Sequence, residues 1–298
     1  MLAEPQAWEE FQWELGSVAD IRAELNRLHA EAIGEQMVRA RTSVMTQVAW
    51  VPPEWREAAL DAFRGLDDVH PSRLVLLFPE PDASGADLVG AVSLHSFERA
   101  GKRLFTEVIA VTLRGETCGR VSSVVLPLVR SDLPVFLRWR GELVTRPDEL
   151  ESLVPLADRL IVDSREWADP KATTTQLTEV LDRAVVSDIT WQRTEPWRRA
   201  VAGLWPAVAV SDQLRVRGPR ADALLLAGWF GSRLGRDVSV DHEHATEIEA
   251  VAATPHGAEP PDAHGLSASE FLSHQLEIVA RDPIYEEAVC ALSRVTTS

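Results

Sequence analysis

The stretch LPVFLRWRGELVTRPDELESLVPLADRLIVDS, residues 133–164, decides the fold class that the sequence predicts. Its first part, LPVFL at residues 133–137, is an apolar run that is typical of a buried strand, and LIV in RLIVDS at its end is a second such run. RPDELESLVPLAD, which connects them, is predicted to be a helix. The stretch therefore predicts a strand, a helix and a further strand.

The same alternation continues on both sides of this stretch. HPSRLVLLFPEP, residues 70–81, is a short apolar run between breakers and is typical of a central strand. PRADALLLAGWFGSRLG, residues 219–235, is predicted to be a strongly amphipathic helix, and residues 236–243 and 245–255 are predicted to form a hairpin. Strands alternating with helices, several of the strands continuously apolar, predict a largely parallel sheet covered on both faces.

The composition becomes polar at DSREWADPKATTTQ, residues 163–176, and we place a domain boundary there. The predicted organisation is an N-terminal helical segment (1–35), an N-terminal α/β domain (36–168) and a C-terminal α/β domain (169–298). The expected fold class is therefore α/β, with two α/β domains that each contain a mixed, largely parallel sheet flanked by helices.

An internal repeat would relate the two domains. FLRWRG and RLIVDS in the first half resemble QLRVRG and RDVSVD in the second, so that each copy has a strand ending in R-x-R-G, a helix, and a strand that opens with arginine. Such a repeat would place paired arginines at the C-terminal ends of equivalent strands. That edge of an open parallel sheet is where ligands usually bind.

The composition excludes several classes of partner. A formal net charge of −16 argues against nucleic acid and against anionic membrane surfaces. No apolar run approaches the roughly 18 residues of a membrane span, and the acidic N-terminus lacks the pattern of a signal peptide, so a cytoplasmic location is expected. Cys118 and Cys290 form no CxxC pattern and are expected to be two buried thiols.

The sequence lacks the common motifs of cofactor and catalytic sites. It contains no G-x-G-x-x-G, no G-x-x-x-x-G-K-[ST] and no G-x-S-x-G, so no cofactor and no catalytic residues are predicted. DHEHATE places His242 and His244 on one face of a strand, as two zinc ligands would lie. A solvated turn is the commoner structure for such a segment, and no metal site is predicted.

Arginine and tryptophan supply the candidate binding residues. Side-chain alternation would put Arg138 and Arg140 on one face of their strand, as a two-pronged site for carboxylate or phosphate. The alternative is that such arginines pair with the acidic residues of this chain. WQRTEPWRR, residues 191–199, combines the two residue types that dominate interface hot spots, although its tryptophans suit a core equally well. The candidate partner- or anion-binding residues are Arg138, Trp139, Arg140, Trp191, Arg193, Trp197, Arg198, Arg215 and Arg217.

Several blocks, in order along the chain, resemble the glucose-6-phosphate dehydrogenase assembly protein (OpcA) family. They are HPSRLVLLF, LFTEVIAVTLRG, SSVVLPLVRSDLPVFLRWRG, DSREW, DITWQRTEPWR and LLLAGWFGSRLG. The resemblance runs from about Gln36 to about Leu292. It implies a non-enzymatic cytoplasmic assembly factor and allosteric activator, which binds glucose-6-phosphate dehydrogenase and promotes the oxidative pentose phosphate pathway. It defines no catalytic residues.

Two other functions stay open at this point. A sugar-phosphate-binding enzyme would have its arginine pairs in a pocket beside an acid or base. A metal-binding regulatory module would need a third ligand next to His242 and His244.

Overall fold

A computed structural model describes residues 14–34, 43–64, 66, 70–99, 102–143, 146–261, 266–277 and 280–297. Part of the predicted N-terminal helical segment, residues 1–13 and 35, lies outside this description. The rest of that segment contains helix α1 (Val18–Gly34). Ser17 caps α1, because its Oγ accepts a hydrogen bond from the backbone N–H of Asp20 at 3.2 Å. The prediction of a helix in this segment is confirmed.

The described residues form eleven α-helices and twelve strands. The remaining helices are α2 (Arg56–Arg64), α3 (Glu116–Gly119), α4 (Val121–Val125), α5 (Pro147–Leu153), α6 (Pro170–Leu181), α7 (Ile189–Arg193), α8 (Glu195–Ala202), α9 (Arg220–Leu234), α10 (Ala268–Glu277) and α11 (Pro283–Ala291). The strands are β1 (Met45–Trp50), β2 (Ser72–Glu80), β3 (Leu88–Arg99), β4 (Lys102–Arg114), β5 (Val135–Trp139), β6 (Arg159–Val162), β7 (Val185–Asp188), β8 (Gln213–Gly218), β9 (Ser239–His244), β10 (Ala250–Ala253), β11 (His256–Gly257) and β12 (Thr296–Thr297). None of the described helices is both long and apolar enough to span a bilayer.

Residue contacts divide the chain into two units. The first comprises Met1–Arg140, Arg146–Leu160 and Ala268–Glu277, and the second comprises Gly141–Thr145, Ile161–Ser267 and Ile278–Ser298. The division falls within β6. An α/β fold in two parts is confirmed, and the boundary between residues 168 and 169 stays a prediction.

The first unit is built on a sheet with the order β3-β4-β2-β1-β5. Strand β1 pairs in parallel with β2 and β5, β2 pairs in parallel with β4, and β3 pairs antiparallel with β4. All residues of β1 and β5 are buried. The register places Trp50 opposite Trp139, and their rings stack with centroids 5.0 Å apart. The expected largely parallel sheet with buried central strands is confirmed in this unit.

The second unit has a mixed five-stranded sheet with the order β11-β10-β8-β9-β12. Strand β8 pairs in parallel with β9 and antiparallel with β10, so the predicted hairpin of β9 and β10 is wrong. The chain between β9 and β10 instead passes the end of β8. The N–H groups of Ala245 and Glu249 donate to the carbonyls of Gly218 and Arg217 there, which delivers β10 to the opposite edge of β8.

Helix α9 is buried on all sides rather than amphipathic as predicted. Every residue from Ala221 to Gly231 is buried, because α9 packs against β8 and β9 and also against α6, α7 and α11. A helix that is covered on all sides is mostly apolar on all sides, and the buried Asp222 of α9 is paired with Arg165.

The two copies of the proposed repeat share only the strand-helix-strand order. Strand β5 is buried throughout, whereas β8 alternates between buried and exposed positions. Arg159 opens β6, but Arg236 precedes β9 and donates to the carbonyls of Ala209 and Ser211. The arginine pairs therefore do not lie in equivalent environments.

The two cysteines differ in exposure. Cys118 is buried, as expected, and its pKa is raised by burial. Cys290 is exposed, which contradicts the expectation of two buried thiols.

A Gly228→Ala variant is expected to lower the free energy of unfolding by about 1–3 kcal/mol. A Cβ at Gly228 would overlap the carbonyl oxygen of Ala288 and lie 3.0 Å from Leu292 Cδ2, so α11 would have to shift. Gly119→Ala is the matched control, since a Cβ there meets nothing within 4 Å. Denaturant unfolding measures both variants, and equal effects would contradict the tight packing of α9 on α11.

Candidate functional site

The structure places Arg138 and Trp139 in the interior of the first unit. Arg138 is 5% exposed, and its Nη1 donates to the carbonyl of Trp139. Arg140 is half-buried, and its guanidinium lies 5.1 Å from the centre of the Trp55 ring. The alternation that would have exposed both arginines fails because β5 is covered on both faces. A surface partner would not contact Arg138 or Trp139.

Arg215 and Arg217 are exposed, but both pair with carboxylates of this chain. Arg215 Nε lies 2.8 Å from Asp241 Oδ2 on the neighbouring strand. Arg217 Nε lies 3.3 Å from Glu243 and 3.1 Å from Glu249. This arrangement matches the alternative stated above, in which the arginines pair with the chain's own acidic residues.

The remaining candidates lie together on α7 and α8 of the second unit. Trp191 and Trp197 are buried, so these tryptophans belong to the core. Trp191 Nε1 donates to Asp282 at 2.8 Å, and the guanidinium of Arg198 lies 3.2 Å from the centre of the Trp191 ring. Burial lowers the pKa of Arg198 to about 10, which still leaves it a cation at neutral pH.

Arg193 belongs to a buried group that we call the carboxylate cluster. Its members are Asp163, Ser164, Asp188, Thr190, Arg193 and Tyr285. Asp163 follows β6 and Asp188 ends β7, so the two carboxylates come from the C-terminal ends of neighbouring strands. Arg193 Nη1 donates to both oxygens of Asp163 at 2.8 and 2.9 Å.

Asp188 holds the start of α7. Its Oδ1 accepts from the N–H of Thr190 at 2.8 Å and from the N–H of Ser164 at 3.1 Å, and Oδ2 accepts from the Ser164 hydroxyl. The Tyr285 hydroxyl lies 3.4 Å from the same oxygen. Burial, and then the negative charge of Asp163, raise the pKa of Asp188 to about 7, against the hydrogen bonds from Ser164 and Thr190.

A carboxyl group with a raised pKa beside a second carboxylate is typical of acid–base catalysis, but both side chains are buried here. Asp163 and Asp188 are 6% and 1% exposed. The arrangement is instead suited to fixing α7 and α8 on the ends of β6 and β7. The sequence analysis missed the cluster, although the aspartates that follow two apolar runs, in RLIVDS and VVSDIT, are a signal for it.

The chain that follows α8 is exposed. We call residues 204–210, with the sequence LWPAVAV, the exposed segment. Trp205 is 62% exposed and Val210 is 81% exposed, while Val208 between them is buried and anchors the segment. A 3-10 helix spans Ala207–Val210, and strand β8 begins only at Gln213.

The sequence did not single out Trp205, because the arginine-rich segment 191–199 contains the tryptophans that match an interface hot spot. The available signal is the pairing of tryptophan with Pro206 in a short apolar run between a helix and a strand. An exposed tryptophan on a short, anchored segment has the properties of an interface anchor.

A metal site at His242 and His244 would need a third ligand, and the part of the chain that the structure describes supplies none. No group of three or more His, Cys, Asp or Glu side chains there could hold a metal ion. His242 Nε2 lies 2.9 Å from the carbonyl oxygen of Gly218.

Fold and site together define a two-unit α/β protein with an enclosed carboxylate cluster and an exposed tryptophan segment. Residues 65–179 match the family described as "Glucose-6-phosphate dehydrogenase subunit N-terminal domain", and residues 184–260 match the corresponding C-terminal domain. The chain belongs to the glucose-6-phosphate dehydrogenase assembly protein (OpcA) family.

Curated relatives agree with this assignment. The chain is 29% identical over 136 residues to the "Putative OxPP cycle protein OpcA" of Synechocystis, which covers 42% of this chain and 29% of the relative. It is 25% identical over 180 residues to the protein of that name from Nostoc punctiforme, covering 55% of this chain and 38% of the relative. The matched segments thus span about a third of the length of these relatives.

Proposed function

We propose that this protein is a non-enzymatic assembly factor and allosteric activator of glucose-6-phosphate dehydrogenase, acting in the cytoplasm and promoting the oxidative pentose phosphate pathway. Family membership is the observation that carries the proposal. The enclosed carboxylate cluster supports a non-enzymatic role, because its paired carboxylates are withdrawn from any substrate in solution.

The exposed segment is the proposed contact with the dehydrogenase. Trp205 offers a large apolar surface at low cost in conformational entropy, and the buried Val208 holds the segment in place. The carboxylate cluster fixes α7 and, through the Arg198–Trp191 contact, the start of α8, which leads directly into the segment. The cluster and WQRTEPWRR thereby position the segment rather than contact the partner.

An activator shifts its partner toward the active state only by binding that state more tightly. Moving the partner from 1:99 to 99:1 takes roughly 5.5 kcal/mol of differential affinity. This difference in binding free energy must come from contacts that the inactive dehydrogenase cannot make. A segment with one dominant anchor is suited to this, because a small displacement of the matching pocket would abolish the contact.

Mixing the purified chain with the dehydrogenase of the same organism tests the proposal. We expect light scattering to show a complex heavier than either protein. The KM or kcat of the dehydrogenase should change over the same range of added chain concentrations in which the complex forms. Masses that stay separate at the highest concentrations attainable, with unchanged kinetics, would rule the function out. Binding without a change in KM or kcat would support the assembly role and contradict the role as an allosteric activator.

A further inference from the structure

Strand β9 of the second unit is paired along only part of its outer edge. On one side, β8 pairs with the whole of β9, whereas on the other side β12 pairs only with Ser239 and Val240. Within the described residues, no strand lies beside the rest of that edge, residues 241–244, which we call the free edge. A free strand edge is a template for a further strand.

The free edge presents backbone groups that have no partner. The N–H of Ala245 donates to the carbonyl of Gly218 in β8, while the carbonyl of Val238 accepts a hydrogen bond from β12. Because successive residues of a strand direct their N–H and C=O groups to alternate sides, those of His242 and His244 point away from β8. No backbone group of the described residues pairs with them.

A cavity of about 270 Å³ lies at the end of the free edge. His244 and Ala245 line it where β9 ends, and the mostly apolar remainder of the lining includes Trp167, Ala168 and Pro170. A strand added to the free edge would carry alternate side chains on the face of the sheet where His244 lies. The cavity suits one apolar side chain of such a strand.

We propose that the free edge binds an extended segment of the dehydrogenase, which continues the sheet beside β12 and places one apolar side chain in the cavity. This inference rests on the proposed function and adds a second contact to that of the exposed segment. The unpaired N–H and C=O groups recognise an extended backbone, and the cavity selects a side chain. Strand addition divides affinity and specificity in this way.

A second copy of this chain is a poorer occupant of the free edge. Each copy carries a formal net charge of −16, which opposes self-association. In an antiparallel pair of β9 strands centred on His242, Asp241 of one copy would lie opposite Glu243 of the second copy. Like charges directly opposite each other destabilise a strand pair.

Overlapping peptides of about ten residues, covering the dehydrogenase of the same organism, test the inference when they are titrated into the full chain. We expect peptides from one region, which share an apolar residue, to bind. Hydrogen exchange followed by NMR should show that such a peptide protects the amides of His242 and His244. The amide of Ala245, which is already paired with β8, should not change. Absence of binding by every peptide at about 1 mM would overturn the inference.

Two substitutions at His244 form a matched pair. His244→Pro removes the outward N–H without removing a hydrogen bond to β8, whereas His244→Ala keeps that N–H, and both remove the imidazole. We expect His244→Pro to weaken peptide binding about tenfold and His244→Ala to leave it unchanged. Equal affinities of the two variants would contradict strand addition.

Ala168→Leu tests the cavity without altering β9. Ala168 is exposed and lines the cavity, so a leucine there should occupy part of it and weaken peptide binding about tenfold. Normal binding by this variant would also overturn the inference. A complex of the whole proteins without peptide binding would remove this inference and leave the proposed function, whereas peptide binding without such a complex would do the reverse.

Discussion

Replacing Arg193 with methionine is expected to lower the free energy of unfolding by about 3–5 kcal/mol, because it removes a guanidinium that donates to both oxygens of the buried Asp163 carboxylate. The Arg193 side chain is 19% exposed and that of Asp163 is 8% exposed, so water cannot replace the lost charge. For a chain of this size we expect the melting temperature to fall by about 10 °C or more.

The neighbouring helix offers a matched control. Arg199 pairs with Glu195 on α8, but its side chain is 79% exposed. Arg199→Met should therefore change the free energy of unfolding by less than about 0.5 kcal/mol. If denaturant unfolding gave the two variants similar losses, the carboxylate cluster would not be what holds α7 in place.

Asp188 is expected to make the stability of the protein depend on pH. Its pKa in the folded state is raised to about 7 from the ordinary 3.8. A carboxyl group with a raised folded-state pKa keeps its proton when folded, while the unfolded chain loses it above about pH 4. The stabilising contribution of Asp188 to the free energy of unfolding is therefore fully present at low pH. It declines as pH rises from about 4 and is lost by about pH 7.

An Asp188→Asn variant isolates this contribution, because asparagine replaces the protonated carboxyl group without its titration. We subtract the free energy of unfolding of the native protein from that of the variant. We expect this difference to rise by about 3 kcal/mol between pH 5 and pH 8. Denaturant unfolding across this range measures the difference, with Asp241→Asn as the control, because the Asp241 side chain is 40% exposed. A constant difference would mean that Asp188 is ionised throughout.

The strands of the first unit could be predicted from sequence because burial on both faces leaves a continuous apolar run. Strands β2 and β5 show this pattern, whereas β1 is buried throughout but contains Thr46 and Gln47. The order of β8, β9 and β10 could not be predicted in the same way. Consecutive strands usually pair, and only the hydrogen bonds of residues 245–249 to the end of β8 reveal that β10 lies on its other side.

Whether each arginine is buried or exposed could not be predicted from the sequence, for a different reason. R-x-R-G occurs in both halves, yet Arg138 is buried while Arg215 and Arg217 are exposed and paired. The difference depends on what covers each strand, which local sequence does not record. The family resemblance drew attention to the blocks around Trp191 and Trp197, but both tryptophans are buried, whereas Trp205 in the neighbouring segment is exposed.

The most direct test of the central claim is the affinity of the dehydrogenase for a Trp205→Ala variant, measured by calorimetry beside the native chain. We expect the affinity to fall at least thirtyfold, about 2 kcal/mol, while the melting temperature stays within a few degrees, because Trp205 is 62% exposed. Arg199→Met, exposed on the adjoining helix, should bind normally. Unchanged affinity in Trp205→Ala would contradict the assignment of the exposed segment as the contact with the dehydrogenase.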